Sequence, residues 1–286
     1  MDEVIKTADG TETLFNKEFK EAYHSIKAGA YVESLHKFIN PCRIKELAVK
    51  NDYIKILDVG FGLGYNVAVA IKEAVKVNPN VKLAIVSIEK DKNIFEKIKK
   101  INISEDLKSI YELMFKGKFY KEKTGNETFD IYKVSSENFD LKIIFGEGRK
   151  IIKNLPDNLQ FDAVFYDPFS PKVNTEMWTL DLFKEVKRLI SKEGILATYS
   201  ASLAVRKGLL EAGFKIGLVE PVGRKSYSTV ASLKGDIPPL TEKEKNRLEN
   251  SPYAVPYRDN KDLSLSREEI KQNWEDRVKE RIKFKV

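Results

Sequence analysis

The residues that most constrain this chain read Ile-Leu-Asp-Val-Gly-Phe-Gly-Leu-Gly-Tyr-Asn over positions 56–66. A mostly apolar run, 54–59, leads into them and suits a strand buried on both faces of a parallel sheet. Gly60, Gly62 and Gly64 then alternate, and a helical pattern follows over 67–77. Strand, sharp turn and helix form the opening unit of a doubly wound α/β sheet, with a turn that lets a ligand approach the main chain closely. Asp58, at the end of the strand, repels a pyrophosphate and attracts a ligand that carries an ammonium.

S-adenosylmethionine has such an ammonium and a sulfonium besides, and further acids fall where it would need them. The strand over 83–88 ends in Glu89, roughly 20–30 residues past the glycines, a spacing at which a carboxylate grips ribose hydroxyls. After a strand over 141–145, Gly146-Glu147-Gly148 opens a helix and offers an acceptor to an adenine amine. The fourth strand, 161–166, ends in Asp167-Pro168-Phe169-Ser170-Pro171, beside the first strand, where open sheets place their crevice. Two prolines stiffen that loop and hold Asp167 at the strand tip. Plainer readings stay open: Glu89 as one acid of a charged surface run, and Asp167 as the cap of a helix over 175–190. Strands over 194–200, 214–219 and 227–232, with a helix over 204–212, complete a seven-stranded doubly wound sheet.

Around the sheet domain, 51–232, the chain carries additions. In residues 1–50, Asp9-Gly10 between β-prone runs reads as a hairpin, and 29–38 as a helix that stops before Pro41. This extension is expected to cover the cleft, with Tyr23 either in the core or over the ligand. His24 and His36 read as structural or capping groups. An insertion at about 104–140 is polar and irregular with scattered aromatics, holding one hairpin arm at 129–134. Residues 233–286, charged and partly helical, read as a C-terminal appendage rather than a second domain.

Composition narrows the chemistry. A chain of 286 residues has room for one large domain. A single cysteine, Cys42, excludes an internal disulfide framework, and with two histidines it argues against zinc or any other metal site. No stretch approaches a membrane span and the first residues are not a signal peptide, so a cytoplasmic protein is expected. The net charge of +7 fits a polyanionic partner, and equally a Lys/Glu-rich surface, since the 33% charged residues mix both signs.

Taken in order, these segments resemble the methyltransferase domain of the bifunctional enzymes that finish 5-methylaminomethyl-2-thiouridine at the tRNA wobble position. The likeness runs from Thr7 to about Ser232 and is weaker in the tail, at Pro252-Tyr253 and from Ser264 to Arg267. It rests on Thr7-Ala8-Asp9-Gly10, Tyr23-His24-Ser25, Gly29-Ala30 with Glu33 and His36, and Asp58 through Asn66. Further on it rests on Ser87-Ile88-Glu89-Lys90, Phe161 through Pro171, Met177-Trp178-Thr179, Arg206-Lys207-Gly208, Ala212-Gly213-Phe214 and Gly223-Arg224-Lys225. The resemblance implies a class I, Rossmann-like methyltransferase. Positions matching Tyr23, Glu89, Glu147 and Asp167 line the donor and substrate cleft in that family. Asp58, Gly60, Gly62, Gly64, Asn66 and Gly148 are expected with them at the donor. Glu147 departs from the Asp of many relatives. The FAD-dependent oxidase domain that often follows is absent, which implies a stand-alone form using neither FAD nor metal, with no obligate protein partner evident. The implied reaction is methyl transfer from S-adenosyl-L-methionine to the amine of 5-aminomethyl-(2-thio)uridine in tRNA.

In such a transfer charge migrates rather than being created, so positioning supplies most of the acceleration. Asp167, with a reference pKa near 3.9, is a poor base unless strongly perturbed. It reads as orienting the neutral amine, and proton loss to water before binding is equally consistent. Phe169 either stacks on a flipped uracil or packs. Lys172, Arg206, Lys207, Arg224 and Lys225, near the carboxyl ends of strands four to seven, are the candidate phosphate contacts. Rival readings are a polyamine aminopropyltransferase, an exocyclic-amine DNA methyltransferase, and a non-catalytic tRNA- or donor-binding module.

Overall fold

A computed structural model of the chain describes residues 3–283. Three short antiparallel strands come first: β1 (Glu3–Lys6), β2 (Glu12–Asn16) and β3 (Glu21–Ala22). The expected hairpin is there, with Lys6 opposite Glu12 and the turn tied by Asp9, which accepts from the Thr11 amide at 3.0 Å. Helix α1 (Ala30–Ser34) widens into a π-turn over Leu35–Ile39, and α2 (Ile44–Lys50) follows.

The sheet domain then runs β4 (Tyr53–Val59), α3 (Tyr65–Val77), β5 (Lys82–Glu89), α4 (Ile94–Ile98), α5 (Glu105–Met114), β6 (Lys118–Thr124), β7 (Glu127–Ser135) and β8 (Phe139–Phe145). It continues through α6 (Gly148–Asn154), β9 (Phe161–Tyr166), α7 (Leu180–Leu189), β10 (Ile190–Thr198), α8 (Leu203–Glu211), β11 (Lys215–Val219) and β12 (Ser228–Ser232). Helices α9 (Glu242–Asn250) and α10 (Arg267–Lys283) form the tail. Before α7 the chain makes a 3-10 turn, Thr175–Trp178, and Thr179 caps the helix through its side chain. The single helix expected over 175–190 is therefore two pieces.

The strands lie in the order β11-β12-β10-β9-β4-β5-β8-β7-β6. Strands β8, β5, β4, β9 and β10 pair in parallel, while β12 and β7 run antiparallel to their neighbours. The seven expected strands are present in a doubly wound α/β arrangement, but the sheet has nine. The two extra strands, β6 and β7, come from the stretch read as a loop-rich insertion, which also forms α5. Most of the β6 side chains are exposed, so no apolar alternation marks it as a strand. Its pairing partner β7 carries the buried residues Phe129, Ile131 and Tyr132.

Alternation along β4 sorts the core into two layers. Ile54 and Ile56 face a cluster that includes α3, α5 and the π-turn, while Leu57 and Val59 face one that includes α6, α7 and α8. Both faces being covered is what a parallel sheet requires. The carboxyl ends of β4, β5, β8 and β9 consequently open on one edge, under the N-terminal strands.

Candidate functional site

At that edge lies a cavity of about 920 Å³. Its floor is the turn after β4. Gly60 has φ of 96°, and a side chain there would press to 2.7 Å from the Asp167 carbonyl oxygen, so only glycine lets the two strand tips lie side by side. Gly62, with φ of 51°, lies under the Tyr23 ring. The expected opening for a ligand at these glycines is thus partly filled by the protein's own Asp167 and Tyr23.

Glu89, at the tip of β5, is on the wall and buried. One oxygen accepts the Gly62 amide and the other the Asp91 amide, both at 2.8 Å. Burial raises its pKa above the usual value against the pull of these amides. One lone pair on each oxygen is left for hydroxyl donors. Glu147 is also on the wall; it caps α6 by accepting the Lys150 amide at 3.1 Å, and accepts Arg149 Nε at 2.9 Å. Arg149 is in turn held by Asp259 at 2.7 Å and the Leu265 carbonyl at 2.9 Å. The tail therefore braces this wall, as does Arg267, bidentate to Glu176 at 2.9 and 2.8 Å. Gly148 lies beside it under Met177.

Asp167 is on the wall at the tip of β9. Its amide donates to the Val59 carbonyl at 2.9 Å, and Oδ2 accepts Asn66 Nδ2 at 2.8 Å. Burial pushes its carboxyl well above the usual carboxylate range; Glu33 and Asp58 push the same way, against the Asn66 hydrogen bond. Tyr23 reaches the wall with its hydroxyl accepting from Asn16 at 3.1 Å and Lys97 at 3.2 Å. Phe169 stacks on Phe19 at 4.3 Å and meets the edge of Tyr23 at 5.3 Å, so one of its faces is already covered.

Several expected site residues lie elsewhere. Asp58 is fully enclosed and off the wall: opposite Ser87 in the β4–β5 register, it accepts that hydroxyl at 2.8 Å, while its other oxygen has no partner among the described residues. Burial raises its pKa to about 7. The direct grip on a donor's ammonium expected of Asp58 is therefore corrected: no oxygen of this acid reaches the cavity wall. Asn66 and Gly64 are off the wall too. Asn66 joins Ser34, whose hydroxyl donates to it at 2.7 Å, to Asp167, so it holds an acid rather than a ligand. Gly64 packs against Phe61 and Met114.

Two candidate phosphate contacts are corrected. Arg206 is 2% exposed and ion-paired with Glu244, with Thr229 at 2.9 Å and the Tyr227 carbonyl at 2.9 Å, so no face is left for RNA. Arg224 is half-buried and spent on the Tyr199 carbonyl, the Ser226 carbonyl and Ser228. Lys172 and Lys225 are exposed and Lys207 is half-buried; none makes an ion pair among the described residues. His36 is exposed and off the wall, whereas His24 is buried on it.

Glu33 is the wall residue that the sequence left without a role. It is 9% exposed, accepts the Ser25 amide at 2.6 Å, pairs with buried Lys37, and lies 3.5 Å from His24 Nδ1. Burial would raise its pKa, but His24 and Lys37 hold it down to about 2. Phe19, Tyr199 and Met177 also line the cavity. The strands that carry these residues are far apart in sequence, and only the closing of the N-terminal segment over the sheet brings them together.

Among proteins of known sequence or structure, residues 105–234 match the S-adenosyl-L-methionine-dependent methyltransferase family. The chain is 31% identical to the uncharacterized protein MJ0670 of Methanocaldococcus jannaschii, over 99% of this chain and 74% of that one. It is 32% identical to the tRNA 5-methylaminomethyl-2-thiouridine biosynthesis bifunctional protein MnmC of Campylobacter concisus, over 77% of this chain and 34% of the relative, so it spans about a third of that relative's length. A crystal structure of MNMC2 from Aquifex aeolicus matches with a TM-score of 0.86 and 42% identity, covering 98% of this chain and 86% of that one. 

Proposed function

We propose that this chain, which belongs to the S-adenosyl-L-methionine-dependent methyltransferase family that includes the MnmC-type proteins, methylates the primary amine of 5-aminomethyl-(2-thio)uridine at the tRNA wobble position. Its donor, S-adenosyl-L-methionine, supplies when bound a methyl group made electrophilic by the sulfonium that carries it. Two features of the cavity suit such a donor. Glu89 keeps lone pairs for vicinal hydroxyls, and Glu147 stands at a helix start for a base amine.

The observation that carries the reading is Asp167, an acid fixed at the tip of β9 with its proton affinity raised by burial. An alkylammonium must lose one proton before its nitrogen can attack. Asn66 occupies Oδ2, which leaves Oδ1 to take that proton: the N–H bond breaks, its electron pair stays on nitrogen, and an O–H bond forms on Asp167. Raising the carboxyl toward the amine's own range makes this transfer less uphill, so the poor base of the unperturbed acid becomes a serviceable one. The nitrogen lone pair then forms the N–C bond as the C–S pair withdraws to sulfur, and the Asp167 proton leaves to solvent. Tyr23, Phe19 and Phe169 cover the site and hold water away from the reacting atoms.

Polyamine aminopropyl transfer gains from the acids on the wall, but four of these are committed. Glu18 pairs with Lys90, Glu176 with Arg267, Asp91 with Lys97, and Glu21 with Ser170. Nucleoside analysis of tRNA bearing the aminomethyl group, after incubation with protein and donor, tests the proposal. Conversion to the methylaminomethyl nucleoside is expected; an unchanged nucleoside, or activity on putrescine with decarboxylated donor instead, overturns it.

A further inference from the structure

The cavity has two ends, and the sheet order says which is which. Gly60, Gly62, Glu89, Glu147 and Gly148 cluster over β4, β5 and β8, the donor end. Beyond Asp167 at β9 the wall continues over β10 with Tyr199, and across from it stand Ser25, Lys27, Glu33 and Gly223. The Gly223 loop touches the turn at Ser25, since a side chain on Gly223 would meet Ala28 at 2.7 Å. An acceptor approaching the methyl from the face opposite the donor enters at this second end.

Glu33 is the ionised group waiting there. Lys37 lies behind it and off the wall, the Ser25 amide holds its second oxygen with His24 Nδ1 3.5 Å from it, and Oε1 keeps a lone pair beyond the one Lys37 uses. The charged or titratable groups around it are Lys37 on the π-turn, His24 after β3, Asp167 after β9, Tyr199 after β10 and Arg224 in the loop before β12. Lys37 contacts Glu33 directly and Arg224 acts on it from farther off, whereas Asp167 makes no ion pair among the described residues. An alkylammonium between the two acids brings Asp167 both a proton and a cation.

We propose, resting on the substrate reading above, that Glu33 is an acceptor-binding residue: it receives the aminomethyl group as its ammonium and selects it over a neutral or carboxylate-bearing substituent. Asp167 then takes the proton from an amine that Glu33 has already placed. The selection follows from charge, because a neutral C5 substituent makes no charge-assisted bond to Glu33 and an anionic one is repelled by it.

The test compares binding and turnover of tRNA with and without the aminomethyl group for the wild type and for Glu33→Gln. The wild type is expected to bind the aminomethyl tRNA about tenfold or more tighter than the unmodified one, with Glu33→Gln losing that preference and about 10- to 100-fold in kcat/KM. Calorimetric affinity for the demethylated donor, which reports a folded donor end, stays unchanged. Because Glu33→Gln strands Lys37, the double variant Glu33→Gln/Lys37→Met is measured alongside; it is expected to keep donor affinity and still lack the preference. Either variant retaining the preference overturns the assignment while the substrate reading stands. A wild type that leaves the aminomethyl tRNA unmethylated overturns that reading, and this inference with it.

Discussion

Asp167 and Asp58 are two acids near one turn whose environments set different tasks. Asp167 has an open oxygen on the cavity, and Asp58 has none. If Asp167 takes the substrate proton, Asp167→Asn lowers turnover by about 10²- to 10⁴-fold while donor affinity, measured by calorimetry, is retained. Near-normal turnover would refute the role. Asp167 works as a base only when ionised, and burial raises its carboxyl, so the acid limb of kcat/KM falls above the ordinary carboxylate range. For Asp58 the consequence is stability. Its carboxyl is about 7 in the fold against an ordinary 3.8, so the native state holds the extra proton between those values. Its contribution is fully present below the unfolded value and is lost as pH rises through about 7. Asp58→Asn removes that loss: in thermal melts of the ligand-free protein, the variant gains on the wild type from pH 5 to pH 8. A constant difference across that range would show that Asp58 does not titrate there.

Helix α8 shows how an element can be legible while its purpose is not. The sequence places a helix over 204–212, close to the observed Leu203–Glu211, and makes its arginine an RNA contact. Arg206 instead ties α8 to Glu244 on α9 and to Thr229 on β12, inside the protein. Nothing local to Arg206 announces a partner 38 residues away. Arg206→Ala leaves Glu244 with Arg247 alone and removes the bonds to Thr229 and the Tyr227 carbonyl, and is expected to cost roughly 2–3 kcal/mol in denaturant unfolding. At a temperature where the variant is folded its tRNA affinity should match the wild type; a selective loss of tRNA binding would restore the surface role. The same division runs through the rest of the chain. The glycine turn, the strand-tip acids Glu89 and Asp167, and the hairpin at Asp9-Gly10 were readable because each is fixed by neighbours in sequence. Strand β6 was not, since an exposed edge strand with Lys118, Lys121 and Lys123 needs no buried face. Nor was Glu33, whose partners are local but whose place on the wall depends on how residues 16–33 fold over the sheet.

For the molecule as a whole, the net charge of +7 acquires meaning only after the paired cations are set aside. Lys90 and Lys92, at the cavity rim, are matched by Glu18 and Asp130, and Arg206 and Arg224 are turned inward. Among the cations that face outward near the opening are Lys27, Lys172 and Lys225, each exposed and without an ion pair among the described residues. Lys27 belongs to the turn that touches the Gly223 loop, next to Lys225, while Lys172 follows the rigid Pro171. A polyanion whose target nucleotide enters the acceptor end passes this rim, and each phosphate neutralised there releases counterions. Tight tRNA binding that weakens steeply with salt is therefore expected. The triple variant Lys27→Gln/Lys172→Gln/Lys225→Gln should flatten the log–log salt slope by about 2 to 3, with donor affinity unchanged. The measurement is tRNA affinity at several salt concentrations. A slope that does not change would place the phosphates on another face, and would separate the route of the RNA from the chemistry at Asp167, which does not depend on it.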